Sequence, residues 1–520
     1  MGSTLALAAH SAPLKGIVLL SASSQASPEG LQAQGIDASR VPMLNDPQVA
    51  SRLSRFLGAP IDSKTLVAIR SELNAVLSER KAPFTLVTIP GQKADGGVVQ
   101  FLIVQGQVAS ISVDGARWFA PETYRSVIRQ QQGQPVNKGQ LDEDVDWINS
   151  NPYRHATVVA TPGKDPGSTE LTIHAEDRRP WRVFAGVDNT GTNTTGYGRF
   201  NTGVEWGNAF GLGHIASYTF ATDTDFNRFK SHTLSYVAPL QWRDTLSAVA
   251  SYTTFDGNVP APFALGGYSS ELDLRYEHPL ARWGEITQSV TAGLEIKRSN
   301  SNLLFSSVAV ANNLTQVAQA RGTYSATRPD TTGGTQLAAA LVLSPGGVGS
   351  GNDDAAFQGT RFGAKAAYAY GTLSLERGTK LPAGFSLVNS MRAQASSTNL
   401  LGSEQLALGG YANVRGYREN EAFSDQGVVL RNELRGPTWR VSQGGQPDNL
   451  QPLAFFDYAR GSDKFAVPGI ASTHELAGWG VGARYAWAKT LTLRVDWGIP
   501  LHKTATSSSG RLNFAAVVNY

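Results

Sequence analysis

In the stretch LALGGYANVRGYREN (406–420) one arginine, Arg415, stands between Val414 and Gly416, and a second, Arg418, follows three residues on. Gly409 and Gly410 precede it, and Tyr417, Glu419 and Glu421 follow. A guanidinium is a permanently charged planar fork that grips a carboxylate or phosphate through two parallel hydrogen bonds. A phosphate-cradling loop would open a helix and carry a lysine. This stretch does neither, so what Arg415 binds depends on what surrounds it.

Other chemistry-bearing patterns are weak. The eight histidines are scattered and form no H-E-x-x-H pair. GYSSELD (267–273) is not the G-x-S-x-G elbow of a serine hydrolase. GNDD (351–354) could attract Ca²⁺, but one short acidic run in a loop is more often solvated. Cysteine is absent, which rules out thiolate metal sites, a cysteine nucleophile and a disulfide framework. No G-x-x-x-x-G-K-[ST] occurs. We therefore expect no enzyme, no metal and no cofactor. The net charge of +3 is too small to argue for nucleic acid as a partner.

The elements that position Arg415 follow two rules. Across 14–177 the pattern is mixed α/β. LKGIVLLS (14–21) reads as a strand, and Asp46-Pro47 supplies an N-cap and a first-turn proline for a helix. A second helix begins near Ser63, with Leu66, Ile69, Leu73 and Val76 on one face. Strands follow at 84–91 and 97–106. This β-α-α-β-β order repeats: a strand at 108–115, helices at 121–132 and 137–149, strands at 154–163 and 168–177. Gly58, Pro60, Leu66 and Leu73 recur as Gly133, Pro135, Leu141 and Ile148, which marks a tandem module. The expected units are 14–106 and 107–177, after an N-terminal segment 1–13 that either follows a removed secretion signal or was added to the chain.

From Pro180 onward no convincing helix is expected. Segments of alternating apolar and polar residues run to Tyr520, about sixteen of them. In TLTLRVDWGI (490–499), Leu491, Leu493, Val495, Trp497 and Ile499 share one face, and Arg494 and Asp496 the other. RLNFAAVVNY (511–520) alternates likewise, and in 286–297 Glu295 and Lys297 lie on the polar face. Charges in mid-strand suit a wet lumen, and Trp242, Trp283 and Trp487 fall at strand ends, where an interfacial girdle would sit. No apolar run approaches the ~18 residues of a membrane-spanning helix. The fold class expected is an α+β tandem followed by a 16-stranded antiparallel transmembrane β-barrel over 178–520. By strand counting, Arg415 falls in an extracellular loop, 401–426, between strands 11 and 12.

GGYANVRGY followed by LRNELR resembles the signature loop of the Omp85 superfamily, and the two β-α-α-β-β units resemble POTRA domains. TIPGQKADGGVV and DNTGTNTTGYGR are similar to the TpsB transporters of two-partner secretion, the haemolysin-activator type. The resemblance runs from about Leu14 to Tyr520. It implies that the loop folds back into the lumen, where Val414, Arg415, Gly416 and Tyr417 form its motif. The arginine would meet an F-x-D motif of strand 13, here Phe455 and Asp457 in PLAFFDYARG. Asp457 shares its parity with Phe455, while Ala454, Phe456 and Tyr458 take the lipid side. The family often has glycine where this chain has Ala459. Phe514 and Tyr520 would serve as the C-terminal signal read by the barrel assembly machinery.

The function implied is a Gram-negative outer-membrane transporter. Its POTRA domains, in the periplasm, would capture an unfolded TpsA-like exoprotein, which then crosses the barrel without ATP. The other partner is outer-membrane lipid. The alternatives are an assembly factor that inserts other barrels and a passive porin.

Overall fold

The computed structural model describes residues 12–520 except 81, 83, 166, 307, 443 and 444, so the N-terminal segment falls almost wholly outside the described residues. The chain divides into two compact units, one ending at Arg179 and one running from Pro180 to Tyr520.

The first unit contains two sheets built to one plan. β1 (Gly16–Leu20), β2 (Gly35–Asp37), β3 (Thr85–Thr88) and β4 (Val98–Gln105) form a sheet of order β2-β1-β4-β3, with β1 and β4 parallel. Helices α1 (Pro47–Ser54) and α2 (Ser63–Glu79) pack on it. The carboxylate of Asp46 caps α1, accepting from Gln48 N (2.8 Å) and Val49 N (3.0 Å). The core joins Ile17 and Leu19 to Leu53, Ile69, Leu73 and Phe101. The second sheet has β5 (Gln107–Asp114), β6 (Arg154–Pro162) and β7 (Ser168–Asp177) in the order β5-β7-β6, with α3 (Pro121–Arg125) and α4 (Lys138–Asn149).

The sequence repeat is a repeat of hydrogen bonds. Gly58 N donates to Leu14 O (2.8 Å) and Leu14 N to Ala59 O (2.9 Å); Gly133 N donates to Val108 O (2.8 Å) and Val108 N to Gln134 O (2.9 Å). Both glycines have positive φ, +86° and +80°, which a side chain would oppose.

Two expectations need correction here. The helix expected over 121–132 is α-helical only over Pro121–Arg125. The Arg129 N–H, which a longer helix would send to the i−4 carbonyl, goes to the Asp144 carboxylate (2.8 Å), and Arg129 Nε to its other oxygen (2.8 Å). In addition, β2 is a short edge strand with no alternation to mark it.

Asp177, at the end of β7, ties down the turn that precedes α3. Its carboxylate accepts from the backbone N–H groups of Arg117 (3.0 Å), Trp118 (3.0 Å) and Phe119 (3.1 Å). Asp177→Ala strands these donors and is expected to cost about 1–3 kcal/mol. Faster limited proteolysis near residues 115–120 would show the loss; an unchanged rate would refute it.

The second unit is a closed barrel. Its strands are β8 (Trp181–Asp188), β9 (Arg199–Ala209), β10 (His214–Asp223), β11 (Phe229–Pro239), β12 (Thr245–Gly257), β13 (Phe263–Trp283), β14 (Ile286–Phe305), β15 (Val308–Asp330) and β16 (Gly333–Pro345). After α5 (Asp354–Thr360) come β17 (Ala367–Lys380) and β18 (Ser386–Ser396). A small ribbon, β19 (Leu406–Leu408) and β20 (Ala422–Ser424), lies outside the barrel order. Then follow β21 (Gln426–Arg435), β22 (Asp448–Ser462), β23 (Thr473–Trp487), β24 (Leu491–Pro500) and β25 (Arg511–Asn519). Without the ribbon these are sixteen strands, each antiparallel to its neighbours, and β25 closes on β8.

The alternation reads through to burial: Leu512, Phe514 and Val518 are exposed on the outside, while Asn513 and Ala515 are buried inside. Trp242, Trp283 and Trp487 are exposed and all lie at the same end of the barrel, at the turns from β11 to β12, β13 to β14 and β23 to β24. Among the described residues no helix is long and apolar enough to cross a membrane.

The expectation of no helix after Pro180 is overturned by α5. The GNDD run is its start: Asp353 caps the helix through Ala356 N (2.9 Å), and Asp354 accepts from Ala366 N (2.8 Å). Both carboxylates therefore serve the backbone. A seven-residue helix has too few turns to show a 3.6-residue period.

Candidate functional site

The segment between β18 and β21 runs into the barrel. Its two arms pair as β19 and β20, and its tip carries Gly409, Gly410 and Gly416 at φ of +84°, +91° and +99°. These left-handed residues turn the chain inside a space too crowded for a wider loop. At the tip Arg415 is fully buried, as are Val414 and Tyr417.

Arg415 uses every face of its guanidinium. Nε donates to Asp457 Oδ2 (2.7 Å) and Nη2 to Oδ1 (2.8 Å), the two-pronged geometry of a fork on a carboxylate. Its backbone N–H reaches the same Oδ2 (3.1 Å). Nη1 donates to Glu433 Oε1 (2.6 Å), and Asp496 Oδ1 lies 3.7 Å away. The flat face of the guanidinium stacks 3.6 Å from the centre of the Phe455 ring.

Each partner comes from a different part of one wall. Glu433 is on β21, Phe455 and Asp457 on β22, Asp496 on β24. Register places them: Glu433 pairs with Phe455, Phe455 with Gly480, and Gly480 with Gly498. In the next inward row, Arg431 pairs with Asp457 and Asp457 with Gly478. Gly478, Gly480 and Gly498 thus open a hollow in the wall between the acids, and the loop backbone lies in it. A Cβ on Gly498 would stand 2.5 Å from Gly416 N, and one on Gly416 would stand 3.0 Å from Ile499 C.

The remaining acids are shared with a ring of arginines. Glu433 also accepts from Arg435 (2.7 Å), and Asp496 from Arg484 (2.9 Å). Arg494 stacks 3.7 Å from the Tyr411 ring, and Arg392 Nη2 donates to Ala412 O (2.9 Å). Tyr417 Oη lies 2.6 Å from His502 O and accepts from His502 N (3.1 Å), linking the tip to the connection after β24. Val414 and Tyr417 pack with Leu408, Val429, Ala459 and Leu476. Ala459 is fully buried there, so its methyl group is part of this packing.

The structure brings Val414, Arg415, Gly416, Tyr417, Phe455 and Asp457 together. Phe514 and Tyr520 lie elsewhere: Phe514 is on the outer face, and Tyr520 is 86% exposed, its backbone paired with Val183. Sequence reasoning missed Glu433 and Asp496. Both sit on inward-parity positions, and Glu433 lies within the LRNELR motif. Among the described residues no group of three His, Asp or Glu side chains is arranged to hold a metal.

The sequence pattern of the haemolysin secretion/activation family ShlB/FhaC/HecB matches residues 167–485. The chain belongs to this family. Among curated relatives, the heme/hemopexin transporter protein HuxB of Haemophilus influenzae is 21% identical over 488 residues, 90% of this chain and 83% of that one. The outer membrane transporter CdiB-2 of Burkholderia pseudomallei is 25% identical over 262 residues; the match covers 49% of this chain and 44% of that relative. The solved structure of CdiB from Escherichia coli superposes with a TM-score of 0.79 at 18% identity, covering 100% of this chain and 92% of that one. The shared fold is therefore that of two small α/β sheets followed by a closed sixteen-stranded antiparallel barrel. The barrel of this family member lies in the Gram-negative outer membrane.

Proposed function

We propose that this family member secretes one partner exoprotein through its barrel, and that the loop bearing Arg415 is the element that keeps the pore closed and competent. The observation that carries this is the tip's dual attachment: a buried ion cluster and a backbone seat between wall glycines. A buried ion pair is geometrically demanding and adds little net stability over an apolar contact. Such a contact holds a loop without freezing it. A solute pore needs no such plug.

The partner arrives unfolded in the periplasm and adds extended segments to a sheet edge of the POTRA units, where β5 and β6 are the edge strands of the second sheet. No nucleotide-binding motif is present, so folding of the partner at the exit supplies direction. Phe514 and Tyr520 act during biogenesis, as the C-terminal signal for the assembly machinery.

Co-expression with the exoprotein encoded beside it tests this. The full chain is expected to place the exoprotein in the medium, and deletion of residues 14–177 to abolish that while the barrel still assembles. Normal secretion by the barrel alone would sink the capture step.

A second reading, an assembly factor for other barrels, draws on one observation. β25 and β8 pair over five residues, Ala515↔Asp188 to Asn519↔Phe184, the shortest seam in the barrel among the described residues. That reading predicts a general outer-membrane protein defect on gene deletion, which the secretion reading does not.

A further inference from the structure

We infer that Glu404 is a second anchor of the lumen loop, a positioning residue that fastens the loop's first arm to a different sector of the wall from the one Arg415 occupies. Glu404 is 4% exposed and lies just before β19. Its Oε1 accepts from Lys297 Nζ on β14 (3.0 Å). Its Oε2 accepts from Gln319 Nε2 on β15 (2.8 Å) and from Tyr370 Oη on β17 (2.8 Å). Its backbone carbonyl accepts from Gln394 Nε2 on β18 (3.0 Å). One loop residue is thus bonded to four wall strands.

The wall groups are themselves held in place. Gln319 donates to Glu295 Oε2 (2.6 Å) as well, and its carbonyl oxygen accepts from Tyr368 Oη (2.7 Å). Arg321 Nε donates to Glu295 Oε1 (2.6 Å). Lys297 lies 3.5 Å from Glu295 and 3.8 Å from Glu271, so its ammonium faces three carboxylates. Burying a carboxylate on a loop is costly unless partners are preset to receive it. Here they are preset by strands that do not depend on the loop, which makes the site a socket rather than an incidental contact.

The socket also borders open lumen. Arg321 lines a cavity of about 410 Å³ whose wall includes the hydroxyl groups of Thr291, Thr323, Ser325, Thr372 and Ser374. Releasing Glu404 would free the first arm beside this hydroxyl-lined face. Its consequence for transport rests on the function proposed above; the anchoring itself does not.

The absence of cysteine from the chain makes the test clean. Ala407→Cys on β19 introduces a single thiol, and intact cells are labelled with a membrane-impermeant maleimide. Glu404→Ala is expected to speed labelling roughly tenfold, Lys297→Met by less because it removes one of three bonds to the carboxylate, and the double variant no further than Glu404→Ala, because Lys297 acts on the loop through that carboxylate. Glu404→Gln keeps the size and one acceptor oxygen and should fall between, so it decides the matter if Glu404→Ala fails to assemble. Labelling at the wild-type rate in a barrel of normal heat-modifiable mobility overturns the inference, as does simple additivity of the two single variants. Secretion is scored in the same strains. If labelling responds but the parent secretes nothing, the anchor stands and the transport reading falls. If labelling does not respond but secretion is normal, the anchor alone falls.

Discussion

Asp457→Ala is expected to abolish secretion while leaving an assembled barrel, and Arg415→Ala to do the same by a different route. Removing Asp457 leaves the Arg415 guanidinium with Glu433 as its close partner and strips three hydrogen bonds, including one to the loop backbone. Deleting one member of a buried pair costs up to about 3–5 kcal/mol; here Glu433 still holds Nη1, while Nε, Nη2 and the backbone N–H of Arg415 stay buried without their acceptor. The barrel does not bear that cost, since its strands pair independently of the tip. The loop does, and a penalty of that size unseats it in nearly every molecule. Removing Arg415 instead leaves Asp457, Glu433 and Asp496 facing one another, with Arg484 and Arg435 to offset them. Replacing both partners with apolar residues of similar size, Arg415→Met with Asp457→Leu, should restore much of the seating, as apolar replacement of a buried pair often is neutral. Exoprotein in the medium and heat-modifiable gel mobility check all three. Full secretion by either alanine variant would show that the ion pair does not hold a functional loop.

How far the sequence could be read depends on which physical rule each feature obeys. Arg415 and Asp457 were legible because one stands in a distinctive motif and the other on a strand whose parity is set by its neighbours. The strand count was legible because alternation of period two survives wherever one face meets lipid and the other water. Glu433 and Asp496 were legible only as lumen-facing charges. Their convergence on Arg415 depends on how β21, β22 and β24 are staggered, and stagger is a property of strand pairs that no single segment encodes. The same holds for Gly478, Gly480 and Gly498, three ordinary-looking strand glycines until register aligns them. In the first unit, α3 is not prolonged to residue 129, because the Asp144 carboxylate, fifteen residues further along the chain, takes the Arg129 N–H that a longer helix would use; local propensity cannot foresee that.

Those glycines carry the other large prediction, which separates shape from charge. Gly478→Val and Gly498→Ala change no ionisable group and break no bond in the ion cluster. Both put carbon where the loop backbone now lies: at Gly498 a Cβ would stand 2.5 Å from Gly416 N and 2.8 Å from Arg415 C, and at Gly478 it would run into the Arg415 carbonyl oxygen. The obstructing atoms are main chain on both sides, so no side chain can swing away to make room. Gly416→Ala meets the same wall from the loop, with a positive φ of +99° as a second obstacle. Each substitution should therefore unseat the tip as fully as Asp457→Ala, with secretion lost and the barrel assembled. An alanine at Gly402, on the same loop but in open space, should leave secretion unchanged. If the wall-glycine variants secrete normally while Asp457→Ala does not, charge alone holds the loop and the hollow is incidental. If both classes fail alike, the ion pair and the glycine seat are two halves of one attachment. Arg415 can then reach its carboxylates only because the wall beside them lacks side chains.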